Sequence, residues 1–137
     1  MRISQKLEYA CRALAQLAKR HDGRTVTRLE QIAQREAVSA NFLVQILNDL
    51  RRGGLVLSRR GKAGGYLLAR PAAAITLFQI SEAVDPALLA NPVRGEGESG
   101  PAVQEVWESV ARELVKKLQG ITLEQLTQAS SGPMFHI

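Results

Sequence analysis

The sequence is short of cysteine. A single thiol, Cys11, in 137 residues excludes an intrachain disulfide and any cysteine-rich metal site. Aromatic residues make up 4% of the chain against 45% apolar residues overall, so the core must be built mainly from Leu, Val, Ile and Ala, which favours helices. No apolar run approaches the roughly 20 residues of a membrane span. Met1-Arg2-Ile3-Ser4-Gln5-Lys6 leads into charged residues rather than a signal-peptide core, so a cytoplasmic protein with no membrane partner is expected. Catalytic patterns are missing too. Gly61-Lys62 falls short of a phosphate-binding P-loop, because Val56 and Ala63 stand where that motif needs Gly and then Ser or Thr. His21 and His136 have no partner pattern, and Glu96 and Glu98 lie in a glycine-rich stretch that scaffolds acid–base chemistry poorly. An enzyme is not expected, and no cofactor is called for.

What is present is positive charge, unevenly spread. Net charge is +5, yet residues 1–71 hold 14 of the 18 Lys and Arg and only 5 of the 13 Asp and Glu. In residues 72–137 the remaining 4 bases face 8 acids. Such a split is expected when one half meets a polyanion and the other meets protein or solvent. The length suits one domain, or a small domain with an accessory segment.

Hydrophobic spacing gives the order of elements. Leu7, Ala10, Cys11, Leu14, Leu17 and Ala18 recur at steps of three and four, predicting one amphipathic helix from Ser4 to about Arg20. Thr27-Arg-Leu-Glu30 has the form of a capping box opening a short helix with Leu29, Ile32 and Ala33 turned inward. Ser39 is an N-cap for a third helix running to about Arg52, whose buried face is Phe42, Leu43, Ile46, Leu47 and Leu50. Gly53-Gly54 stops it. Leu55-Val56-Leu57 and Tyr66-Leu67-Leu68-Ala69 read as two short strands, with Arg59 to Gly65 as a projecting, glycine-rich basic tip. Thr76-Leu-Phe-Gln79 opens a fourth helix, and Pro86 to Pro101 reads as a flexible connection. Val103, Val106, Trp107, Val110, Leu114 and Leu118 then stripe a long helix. Thr122-Leu-Glu-Gln125 opens a last short one, and the tail shows no periodicity.

Helix, short helix, turn, helix, hairpin is the order of a winged helix-turn-helix. The expected fold is mainly α: a DNA-binding winged helix-turn-helix with a two-stranded wing and a long C-terminal dimerisation helix. The expected divisions are residues 1–84 for the DNA-binding domain, 85–101 for a flexible loop, 102–130 for the dimerisation helix and last short helix, and 131–137 for the tail. In a major groove, Asn41 and Gln45 carry the amide pairs that suit adenine edges, and Ser39 and Ala40 begin the same helix. Arg51 and Arg52 at its end can grip the backbone. Arg59, Arg60 and Lys62 can neutralise phosphates or enter a minor groove, while Gly64 and Gly65 allow close backbone approach. The Val103–Leu118 stripe is hard to hide in so small a chain; a second copy would cover it, and packing within the chain is the alternative. Two other readings stand beside this one: a basic protein-interaction module, and a Cys11 thiol redox sensor on the same DNA-binding fold. Cys11 sits on the Leu7–Leu14 stripe, where a small apolar residue is expected and core packing is the simpler role.

The sequence also resembles a family. Leu29-x-x-Ile32-Ala33, Val38-Ser39-x-x-Phe42-Leu43-x-Gln45-Ile46-Leu47-x-x-Leu50-Arg51, Gly54-Leu55-Val56-x-Ser58 and Gly61-x-x-Gly64-Gly65-Tyr66-x-Leu68-Ala69-Arg70-Pro71 look like the signature of the Rrf-two (Rrf2) family of bacterial transcription regulators. The resemblance runs over residues 1–84 and more loosely through the long helix. It implies a homodimer on a palindromic operator in double-stranded DNA, usually as a repressor, answering to a protein or small-molecule effector. Many members of that family hold an iron–sulfur cluster on three cysteines between the fourth and long helices. The matching stretch here, Asp85-Pro-Ala-Leu-Leu-Ala-Asn-Pro-Val-Arg-Gly-Glu-Gly-Glu-Ser-Gly-Pro101, has neither Cys nor His. Glu8 stands roughly where some relatives supply a carboxylate ligand. A cysteine-poor subgroup without cluster ligands is therefore expected.

Overall fold

A computed structural model of the chain describes residues 2–90 and 93–128. Six α-helices and one two-stranded sheet are found among them: α1 (Gln5–Ala18), α2 (Leu29–Glu36), α3 (Ala40–Arg52), β1 (Val56–Arg59), β2 (Gly65–Leu68), α4 (Leu77–Val84), α5 (Gly100–Gln119) and α6 (Leu123–Gln128). The C-terminal tail lies outside the described residues.

Local chemistry explains most of the boundaries. The Ser4 hydroxyl accepts the Leu7 N–H at 3.1 Å and starts α1, and Ser39 does the same for Phe42 at 3.2 Å to start α3. At Thr76–Gln79 and Thr122–Gln125 each threonine and glutamine exchange backbone bonds reciprocally, so α4 and α6 begin on true capping boxes. The expected box at Thr27–Glu30 is displaced by one residue. Arg28 is the N-cap, and it is Gln31, not Glu30, whose side chain accepts the cap N–H, at 3.3 Å. Thr27 is instead drawn into pairing with Tyr66 of the wing. Between α2 and α3 the chain turns on Ala37 at φ +55°, a left-handed conformation that glycine usually supplies.

The core lies where α1, α2, α3, α4 and α6 meet. Leu14, Ile32, Leu43, Ile46, Leu50 and Ile80 are sealed within it. Phe42 is only half-buried and meets the Tyr9 ring edge-on at 5.6 Å between centroids. The last helix returns to this core. Leu77 N–H bonds to the Ile121 carbonyl at 2.9 Å, Leu123 N–H bonds to the Ile75 carbonyl at 2.8 Å, and Leu123 is wholly buried. The stretch expected to be a flexible connection contains a one-turn 3-10 helix, Pro86–Leu89, and Gly95 and Gly97 take positive φ.

The long helix is different. No residue of α5 is buried, and Val103, Val106, Trp107 and Val110 stand between 48% and 61% exposed. Among the described residues, no helix is long and apolar enough to cross a membrane.

Candidate nucleic-acid interface

The wing is held at its root and at its flank. The turn after α3 is closed by Gly54 N–H to the Arg51 carbonyl at 3.0 Å, and Leu55 N–H reaches back to Leu50 at 2.9 Å. β1 and β2 then pair antiparallel, Val56 opposite Leu68 and Arg59 opposite Gly65. Arg59 therefore lies on a strand, and the projecting turn is shorter than the sequence suggests, residues 60–64. Gly61 takes φ +102° there, and a Cβ on Gly64 would collide with the Arg59 carbonyl oxygen. On its outer flank β2 gains a second partner. Thr27 N–H donates to the Tyr66 carbonyl at 2.8 Å and Tyr66 N–H returns a bond to Thr27 at 2.9 Å. Thr27 is buried, and a Cβ on Gly65 would lie 2.5 Å from the Thr27 oxygen, so only glycine lets the strand approach this closely.

The structure leaves the remaining candidates exposed. Ser39, Ala40, Asn41 and Gln45 are all exposed along the N-terminal half of α3. The Ser39 oxygen is committed to its cap, which leaves the hydroxyl hydrogen to donate. Arg51 and Arg52 differ. Arg52 pairs with Asp49 at 2.5 Å, whereas no ion pair involves Arg51 among the described residues. Asp49 also pairs with Lys6 of α1, and the hydrogen bond from Lys6 is the main reason its carboxyl is held below the usual carboxylate range. Arg59, Arg60 and Lys62 are exposed and make no ion pair among the described residues.

One residue joins this surface that sequence reasoning missed. A cleft of about 310 Å³ separates the start of α2 from the wing, and Arg28 lines it together with Ser58, Arg59, Arg60 and Glu30. Reading Thr27 as a helix cap hid this, because the Thr27–Tyr66 pairing that brings Arg28 to the wing is non-local and leaves no periodic trace.

Cys11 occupies another place. It is half-buried on the wall of an apolar groove of about 390 Å³ lined also by Ile3, Leu7, Leu77, Leu118 and Leu126. Burial, with a smaller contribution from the Glu8 carboxylate, pushes its thiol up to about 11. Arg12, next along α1, lies 4.6 Å above the Tyr9 ring and 3.5 Å from Glu8.

Comparison with known proteins agrees with this geometry. The model of a family described as "Rrf2: Iron-dependent Transcriptional regulator" matches residues 3–129. The chain is 35% identical to the HTH-type transcriptional regulator CymR of Bacillus subtilis, with both chains covered over 100% of their length. It is 33% identical to the HTH-type transcriptional regulator IscR of Escherichia coli, covering 92% of this chain and 80% of that one. Among solved structures, that of CymR, titled the global cysteine regulator of B. subtilis, superposes with a TM-score of 0.80 at 34% identity, covering 94% of this chain and 98% of the other. IscR of T. potens gives 0.75 at 31% identity, covering 95% and 88%.

The iron in the family's description does not fit the residues of this chain. One cysteine and two histidines are available in all, and no group of three His, Cys, Asp or Glu able to hold a metal exists among the described residues. The winged fold, the exposed third helix, the basic wing and the family match over nearly the whole length lead to one assignment: this chain belongs to the Rrf2 family of transcriptional regulators.

Proposed function

We propose that the protein is a homodimeric, sequence-specific DNA-binding regulator that occupies a palindromic operator and acts as a repressor. The observation that carries this reading is the pairing of an exposed, polar third helix with a wing whose cations make no ion pair among the described residues. In a duplex, the N-terminal half of α3 enters the major groove. Asn41 and Gln45 present amides that can donate and accept at once to an adenine edge, and Ser39 donates its hydroxyl nearby. Arg59, Arg60 and Lys62 neutralise phosphates beside the groove and release counterions, which supplies much of the affinity. Arg51 adds to the backbone grip, while Arg52 shares its charge with Asp49.

Dimerisation rests on α5. An exposed stripe of Val103, Val106, Trp107 and Val110, continued by the half-buried Leu114 and Leu118, is a surface that a second copy would cover. Two recognition helices related by twofold symmetry read inverted half-sites, so the operator is palindromic. Repression then follows from occupancy of the promoter.

Selection from a random duplex library tests the reading. Enrichment of an inverted repeat is the expected result. Recovery of no sequence, with binding only to acidic proteins, would instead favour a basic interaction module.

A further inference from the structure

We propose that the cleft between α2 and the wing is a phosphate seat, in which Arg28 joins Arg59 and Arg60 along the sugar–phosphate backbone of the operator, each arginine meeting a phosphate of its own. This inference rests on the DNA-binding reading and adds to it a residue, a ligand group and a role.

Three observations carry it. The first is composition: Arg28, Arg59 and Arg60 put three arginines on the walls of one cleft with a single acidic residue, Glu30. The second is that none of the four forms an ion pair among the described residues, so the cleft carries an excess of positive charge with no arginine neutralised by contact. An anion entering the cleft offsets that excess. The third is positional. The reciprocal Thr27–Tyr66 bonds, at 2.8 and 2.9 Å, fasten the residue before Arg28 to the strand that follows the wing tip. Arg28 is thereby held at a set place relative to Arg59 and Arg60 instead of reaching in from a loose loop. Ser58, on the same wall, adds a hydroxyl donor.

The chemistry of the anion follows from its hosts. Guanidinium presents paired N–H donors in a planar fork that matches two oxygens of a phosphodiester. In helix-turn-helix proteins the helix preceding the recognition helix crosses the sugar–phosphate backbone, which is where the start of α2 would carry Arg28. Such a contact fixes position and carries no base information.

The test uses the full chain, the selected operator and three variants: Arg28→Ala, Arg28→Lys and, as a base-reading control, Asn41→Ala. Affinity is measured from 50 to 200 mM salt. Each phosphate contact contributes about 0.9 to the slope of log affinity against log salt, so Arg28→Ala in both protomers lowers that slope by about 1.8. The ratio of wild-type to Arg28→Ala affinity therefore shrinks by about 12-fold between those salt concentrations. Arg28→Lys keeps the slope but binds more weakly, and neither variant changes the ranking of operators altered at single base pairs. Asn41→Ala does the reverse, keeping the slope and altering the ranking. A folded Arg28→Ala variant with the wild-type slope overturns the phosphate seat while leaving the DNA-binding reading intact. A loss confined to particular base pairs overturns it as well, since Arg28 would then be reading sequence. Failure of the wild type to select any operator overturns both.

Discussion

Trp107→Ala offers the sharpest test of the dimer. Trp107 is the single tryptophan of the chain, and it stands 54% exposed on a helix with no buried residue. A side chain of this class carries about 150–250 Å² of surface, so roughly 100 Å² is left for a partner to cover. At about 25 cal/mol per Å² this is worth about 2.5 kcal/mol for each protomer. Twofold symmetry doubles the effect to about 5 kcal/mol, which weakens self-association by roughly 10³–10⁴-fold. The fold itself should be little affected, because the ring contributes no core packing. Sedimentation across a dilution series measures the association constant. The same tryptophan reports independently, since its emission should shift to longer wavelength as wild-type dimers dissociate. An association constant unchanged in Trp107→Ala, or an emission maximum that stays fixed on dilution, would refute α5 as the interface.

Three further outcomes are expected. Replacing Arg59 and Arg60 by alanine removes four phosphate contacts from a dimer and should lower the salt slope by about 3.6, weakening all duplexes alike, as binding titrations at several salt concentrations will show. Cys11 should resist alkylation at neutral pH, because its thiol is raised from the ordinary 9.0 to about 11, and a labelling rate that climbs only toward that value is the check. The sign of the linked stability follows. Folding favours the protonated thiol, so its contribution is complete below pH 9.0 and is lost as pH rises through about 11, which denaturant titrations against Cys11→Ala would register. Rapid neutral-pH labelling would restore the case for a redox role.

The parts legible in the sequence were those decided locally. Ser4, Ser39, Thr76 and Thr122 sit a few residues from the groups they cap, and their caps form as their spacing implies. The α3 face reads well because Leu43, Ile46, Leu47 and Leu50 repeat with the helix, leaving Asn41 and Gln45 outside. What escaped were pairings between distant segments. Thr27 carries the right chemistry for a cap, yet two backbone bonds to Tyr66 claim it, and Arg28 moves to the head of α2 as a consequence. Arg59 similarly passes from the turn into the ladder, because its strand partner is Gly65, six residues away. The bonds at Ile75, Leu77, Ile121 and Leu123 that return α6 to the core are equally silent in periodicity.

The Thr27–Tyr66 bridge has a consequence for the operator. It welds the wing to the helix that enters the turn before α3, so the wing and the recognition helix move as one caliper with a preset gap. On the proposed reading, the distance within a half-site from the bases facing Asn41 and Gln45 to the phosphates facing the wing would then be fixed. Any freedom to accept operators of different length would lie between the half-sites, where α5 is proposed to join the two calipers. Insertion of one base pair inside a half-site should abolish binding, and the same insertion at the dyad should be better tolerated.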